Sequence, residues 1–176
     1  MLQDIPSPRE KARRDCMDEL YSCRVETCRG CWTILFHRGG IYEIFFPGTA
    51  PRRLPPQRPL PWPGLERELQ RYLEGERPAW EGYPLDMSGY PPFTRALLGA
   101  VRRIPYGETR SYREVAAAAG SPRAWRAAGQ ALKANRHPLL VPCHRVIRSD
   151  GRPGGFSGPP GWKEMLLELE RGPAMG

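Results

Sequence analysis

The spacing of apolar residues changes along this chain, and the changes divide it into segments. Residues 21–27, 32–36 and 41–46 are short runs, the last two rich in β-branched and aromatic residues, broken at Arg29-Gly30 and Arg38-Gly39-Gly40. Glycine readily adopts the positive φ of tight hairpins, so the pattern predicts a small antiparallel sheet. Residues 47–63 then hold seven prolines in seventeen positions, which removes backbone donors and predicts an irregular surface loop. Leu65, Leu69 and Leu73 recur at four-residue spacing, predicting a helix over 65–74 that Gly75 closes.

A second run of Pro and Gly over 77–92 marks the expected domain boundary, giving an N-terminal module of 1–86 and a C-terminal module of 87–176. Beyond it the period becomes helical. Phe93, Ala96, Leu97, Ala100 and Val101 share a face over 93–103, ended by Pro105-Tyr106-Gly107. Ser111 with Glu114 reads as a capping box opening a helix over 112–119, and a further helix is expected over 122–134 after Gly120-Ser121-Pro122. Two short helices around a glycine-containing turn are a helix-turn-helix signal. The fold class is therefore an α/β N-terminal module with a small antiparallel sheet, followed by a mainly helical C-terminal module with a helix-turn-helix.

Charge adds one element to this picture. The net charge of +8 comes almost wholly from Arg, with Lys only at 11, 133 and 163. Arginine suits phosphate and base-edge recognition through its planar donor fork, although basicity alone does not define a nucleic-acid partner. No apolar run is long enough to cross a bilayer and the first fourteen residues are charged, so a cytoplasmic protein is expected. Thiols stay reduced in that compartment. Cys16, Cys23, Cys28 and Cys31 are numerous enough for a structural zinc, and the Cys28–Cys31 spacing fits one. The looser Cys16 and Cys23 pair does not complete a ribbon pattern, so unconnected buried or surface thiols remain the alternative.

Cys143 stands apart, in Pro142-Cys143-His144-Arg145-Val146 at the end of an expected buried strand over 139–141. Basic or cationic neighbours favour a thiolate, and sulfur nucleophiles need a lowered pKa and a nearby base. A zinc deaminase would require a second cysteine where Val146 stands, and a redox Cys-x-x-Cys is also absent. A protease-like pair would need a suitable turn or a bridging water for His144 to work on Cys143. In the helix expected over 122–134, Arg126 accompanies the small residues Ala127, Ala128, Gly129 and Ala131. Such a surface fits a nucleic-acid groove or tight packing on a neighbouring helix equally well.

Asn135, the Pro-Cys-His-Arg-Val run, Gly151, Gly158 and residues 163–170 together resemble the O6-alkylguanine-DNA alkyltransferase family. The resemblance extends upstream through Ile104-Pro105-Tyr106-Gly107, Ser111-Tyr112 and Arg126-Ala127-Ala128-Gly129, and loosely to Pro84-Leu85-Asp86. It implies a monomer that binds double-stranded DNA containing O6-alkylguanine, flips the damaged nucleotide and moves its alkyl group irreversibly onto Cys143, with no cofactor required. It further implies that His144 takes the thiol proton through a water, Glu170 orients His144, and Tyr112 serves the leaving guanine. Arg126 would fill the stack, Ala127, Ala128, Gly129 and Ala131 would face the groove, and Asn135 would be a hinge. Pro138, Val146, Phe156, Ser157 and Gly158 would wall the guanine pocket, with backbone groups at Val146 and Ser157 reading the base edge. Phe156 stands where the family commonly has Tyr, and Ser157-Gly158-Pro159-Pro160 replaces the usual Ser-Gly-Gly, which bears on alkyl-size preference. The family's non-transferring relatives lack the cysteine.

Overall fold

A computed structural model describes residues 20–172. β1 (Tyr21–Thr27), β2 (Gly30–His37) and β3 (Gly40–Phe45) form one antiparallel sheet in the order β1-β2-β3. The hairpin registers close on Thr27 opposite Gly30 and His37 opposite Gly40, with a bulge at Leu35/Phe36. Gly40 is required at its position: its φ is +151°, and an added Cβ would lie 2.9 Å from the Pro84 carbonyl oxygen. α1 (Leu65–Leu73) buries Leu65, Leu69, Tyr72 and Leu73 against this sheet.

The proline-rich segment is more ordered than a free surface loop. The Ser22 N–H donates to Pro56 O and the Arg58 N–H donates to Ser22 O, both at 2.9 Å, so the segment lies along the free edge of β1. Leu60 is buried and Trp62 packs on the same core. Proline suits a strand edge because it brings no donor that the sheet must satisfy.

The C-terminal half comprises α2 (Pro92–Arg102), β4 (Arg110–Ser111), α3 (Tyr112–Ala118), α4 (Trp125–Lys133), β5 (Val146–Ile147) and α5 (Trp162–Arg171). The Ser111–Glu114 capping box forms as expected, with the Glu114 N–H donating to Ser111 Oγ at 3.3 Å and the Ser111 N–H donating to Glu114 Oε2 at 2.6 Å. α4 starts three residues later than expected, because 122–124 close a turn in which the Ala124 N–H donates to Ser121 O. α2, α3 and α4 share a second core of Leu97, Leu98, Val101, Val115, Ala128, Ala131, Leu132, Val141 and Val146.

The strand expected over 139–141 is absent, and those residues form a turn. The Val141 N–H donates to His137 O at 2.8 Å, and Leu139 takes a left-handed φ of +72°. Asn135 holds the turn from within: its Nδ2 donates to Val141 O and its Oδ1 accepts from the His137 N–H, both at 3.0 Å. Local side-chain bonding of this kind offers buried backbone an alternative to a ladder. Apolarity alone could not distinguish this buried turn from a strand.

Leu139, Leu140 and Leu166 join the core beneath the N-terminal sheet. β3 also receives the Arg136 carbonyl at Ile44 N–H and the His137 Nε2–H at Ile41 O. The segment leading to Cys143 is thereby fixed against the sheet. Among the described residues no helix is long and apolar enough to cross a membrane.

Candidate active site

Cys143 begins a one-turn 3-10 helix, Cys143–Arg145, directly after Pro142. Its backbone N–H is turned back onto Val141 O at 2.8 Å, and the side chain meets a cavity of about 180 Å³. The cavity is also lined by Tyr112, Arg126, Gly129, Phe156 and Ser157, which brings together six of the expected residues. Pro138 and Val146 are buried outside this lining, and Gly158 packs against Phe46 and Phe156.

The small residues of α4 divide between two environments. Ala127 is exposed and Gly129 lines the cavity, whereas Ala128 and Ala131 belong to the core shared with α2 and α3. The expectation that Ala128 and Ala131 form a groove surface is therefore corrected. Their size serves close helix packing, because a larger side chain would force α4 away from its neighbours.

His144 and Glu170 lie behind the thiol. His144 Nε2 donates to Glu170 Oε1 at 2.7 Å, and Glu170 also accepts from Tyr72 Oη at 2.6 Å. Arg145 donates from Nε to Oε2 at 2.8 Å and from Nη2 to Oε1 at 2.9 Å, while the Gly107 N–H donates to Oε2 at 3.1 Å. These hydrogen bonds and the adjoining cation hold the Glu170 carboxyl down at about 2 despite its burial. Burial depresses the pKa of His144, so it is neutral at physiological pH. With Nε2–H directed at Glu170, the basic lone pair is on Nδ1, a buried atom without a protein partner among the described residues.

The surroundings of the thiol differ from the expectation based on its sequence neighbours. His144 is uncharged and Arg145 is committed to Glu170 and to the Ile104 carbonyl, so neither supplies a free cation beside the sulfur. Burial raises the Cys143 pKa, opposed by hydrogen bonding from Asn135, the charge of Lys163 and hydrogen bonding from Ser157. Lys163 is only 1% exposed and donates to Val146 O at 2.6 Å and Gly155 O at 3.2 Å. Burial brings its pKa down to about 8, with the charge of Cys143 opposing the fall. Of the Val146 backbone groups expected to read the base edge, the carbonyl accepts from Lys163 and the N–H donates to Cys143 O.

Lys163 and Tyr72 were missed as site residues. Lys163, Leu166, Leu167 and Glu170 recur at helical spacing and are all buried, so two charged residues lie on an apolar stripe. That anomaly is a readable signal. Tyr72 likewise shares the apolar face of α1, but its partner is ninety-eight residues away and leaves no local pattern.

Tyr112 Oη donates to Gly155 O at 3.1 Å, and burial raises its pKa, which keeps the phenol protonated. The N-terminal thiols show no corresponding convergence. Cys23 points into the core, donating toward Glu66 Oε1 at 3.5 Å, and burial pushes its pKa up to about 11. Cys28 donates toward Leu73 O at 3.4 Å and Cys31 toward Trp32 O at 3.8 Å. Among the described residues no three His, Cys, Asp or Glu side chains gather to hold a metal ion, and Cys16 lies outside the described residues.

The fold and site define a two-module protein with a cysteine at the base of a small cavity, a paired imidazole behind it and a helix-turn-helix beside it. Residues 92–172 match the family described as 6-O-methylguanine DNA methyltransferase, DNA binding domain. A constitutive methylated-DNA–protein-cysteine methyltransferase of Bacillus subtilis is 47% identical over 107 residues, or 60% of this chain and 64% of that protein. A protein of Thermus thermophilus named a DNA base-flipping protein is 48% identical over 107 residues, covering 60% of this chain and 71% of its own length. The crystal structure of Mycobacterium tuberculosis OGT in complex with DNA superposes with a TM-score of 0.75 at 32% identity, covering 86% of this chain and 92% of that one. This chain belongs to the O6-methylguanine DNA methyltransferase family.

Proposed function

We propose that this protein repairs double-stranded DNA by transferring an alkyl group from O6 of a flipped guanine to Cys143, once per molecule and without a cofactor. The observation that carries this reading is the position of Cys143 at the cavity beside Tyr112 and Arg126, with the His144–Glu170 pair behind it. In the reaction the Sγ–carbon bond forms as the carbon–O6 bond breaks. The thiol proton leaves toward His144 Nδ1 through a bridging water, and the departing guanine recovers a proton on the base.

Each residue would supply a part that this displacement requires. Lys163 and Asn135 favour the anionic sulfur against its burial. Glu170 fixes the imidazole with Nδ1 as the base and stabilises the imidazolium, which is the nucleophile, base and orienter arrangement. Tyr112 offers a hydrogen bond or proton to the leaving base by exchanging its contact with Gly155 O. Arg126 fills the vacated stack, offsetting part of the few kcal/mol that flipping costs. Phe156, held edge-on against Phe46 with centroids 5.8 Å apart, provides an aromatic wall without a hydroxyl.

The test is to incubate the full chain with a duplex containing O6-methylguanine and to measure the mass of the Cys143 peptide. One added methyl, with stoichiometric loss of the lesion, is expected; an unmodified peptide beside intact lesion overturns the reading. Cys143→Ala should still bind the duplex and transfer nothing. Lesion binding without transfer is the second reading, favoured by the name of the Thermus thermophilus relative. The two readings part on whether Cys143 acquires the methyl.

A further inference from the structure

Trp125, 37% exposed, is the most exposed large hydrophobic side chain among the described residues. It is the first residue of α4 and immediately precedes Arg126. The Arg126 and Arg113 guanidinium carbons lie 4.9 and 5.6 Å from the centroid of its ring. The indole lines an open groove of about 550 Å³ together with Arg113, Arg126, Arg148, Ser111 and Ser149. Arg148 also pairs with Asp150 at 3.3 Å, leaving the arginines in excess around the groove.

The groove is continuous with the Cys143 cavity, because Tyr112, Arg126, Gly129 and Gly155 line both. Its chemistry is that of a single-strand platform: an indole now covered by guanidiniums, one of which a base of any identity can replace by stacking while the freed arginine turns to phosphate. A cavity for one flipped base would thus adjoin a second space of greater volume, walled by an indole. We propose that this groove is a second nucleotide subsite, in which Trp125 stacks on the base of a nucleotide flanking the flipped lesion. This rests on the proposed reading that the Cys143 cavity receives a flipped nucleotide. Arg113, turned off the indole, and Arg148 hold the phosphates on either side, while Arg126 keeps its place in the vacated stack between the two spaces.

The test measures equilibrium binding in the Cys143→Ala protein, where no transfer can occur. The probes are one duplex bearing O6-methylguanine and the same duplex with an abasic residue immediately 5′ or 3′ of the lesion. Trp125→Ala should weaken binding to the intact duplex about tenfold, whereas Trp125→Phe, which keeps a stacking face, should lose much less. The loss from Trp125→Ala should vanish on one of the two abasic duplexes, since the stacked base is then missing. The proposal is overturned if Trp125→Ala binds as tightly as its parent, or if its loss persists on both abasic duplexes, which would make Trp125 a support for Arg126 alone. Failure of methyl transfer to Cys143 would overturn the functional reading while leaving this binding comparison interpretable.

Discussion

Lys163→Met separates what the buried ammonium does for catalysis from what it costs the fold. The fall in its pKa from 10.5 to about 8 corresponds to roughly 3 kcal/mol spent in keeping the buried group charged at neutral pH. Methionine removes that cost and fills similar space. It also leaves Val146 O without its 2.6 Å donor, a loss of about 1–3 kcal/mol, whereas Gly155 O keeps the Tyr112 hydroxyl. The net expectation is a stability between unchanged and about 2 kcal/mol higher, read by urea denaturation at pH 7. Transfer should move the other way. Lys163 lowers the pKa of a thiol that burial raises, and each unit regained on its removal means about tenfold less thiolate. A single-turnover methyl-transfer rate at pH 7 below wild type is expected, with the gap narrowing above pH 8 as wild-type Lys163 itself deprotonates. The unfolded chain binds more protons than the fold between pH 8 and 10.5, so this group makes wild-type stability rise across that window; the variant should lack the rise. A wild-type transfer rate at pH 7, or a stability loss beyond about 3 kcal/mol, would refute the reasoning.

Tyr72→Phe removes one donor from Glu170 but leaves those of His144, Arg145 and Gly107, and the ring packing on Trp80 at 4.7 Å is retained. About 1 kcal/mol of stability should be lost, with a several-fold slower transfer; a denaturation midpoint unchanged from wild type would contradict it. His137, wholly buried and donating Nε2–H to Ile41 O, has its pKa lowered from 6.5 to about 4 by burial. The unfolded state therefore takes up a proton first, and stability should fall by about 3 kcal/mol as pH drops from 6.5 to 4, with His144 acting in the same direction. Denaturation curves at pH 7 and 4.5 check this, and coincident midpoints would show that His137 is not held neutral.

The N-terminal sheet was legible because each strand ends at a glycine turn and the intervening residues prefer extended backbone. The capping box likewise carries its start signal within four residues. Legibility failed where packing or side-chain bonding settled the backbone. The run Leu139-Leu140-Val141 looks like a strand until Asn135 engages both the Val141 carbonyl and the His137 amide. Ala128 and Ala131 looked suited to a groove, but the position of α2 and α3 decides that they face inward. In the site, the nucleophile and the His144–Glu170 pair came through a motif, whereas Tyr72 enters from the other module by a tertiary contact. Of the two basic neighbours expected beside the thiol, Arg145 turns away to Glu170 and the Ile104 carbonyl, because adjacency in sequence does not fix side-chain direction in a 3-10 turn.

Helix α5 accounts for the electrostatics on both sides of the Cys143–His144 pair. Lys163 and Glu170 are seven residues apart, about two helical turns, and so lie on one face, with Leu166 and Leu167 buried between them. Glu170 stays ionised above about pH 2 and Lys163 below about pH 8, so at neutral pH the same stripe presents an anion to the imidazole and a cation to the thiol. In the proposed transfer the anion would stabilise His144 once it has taken a proton, and the cation would stabilise Cys143 once it has lost one. Moving that proton thus creates two charges, each already opposed by a buried partner of opposite sign on one rigid element. Because the partners are fixed by packing, the proposed proton transfer would need little reorganisation. Rotating α5 even a fraction of a turn would misplace both partners together, which ties the packing of Leu166 and Leu167 to the chemistry at Cys143.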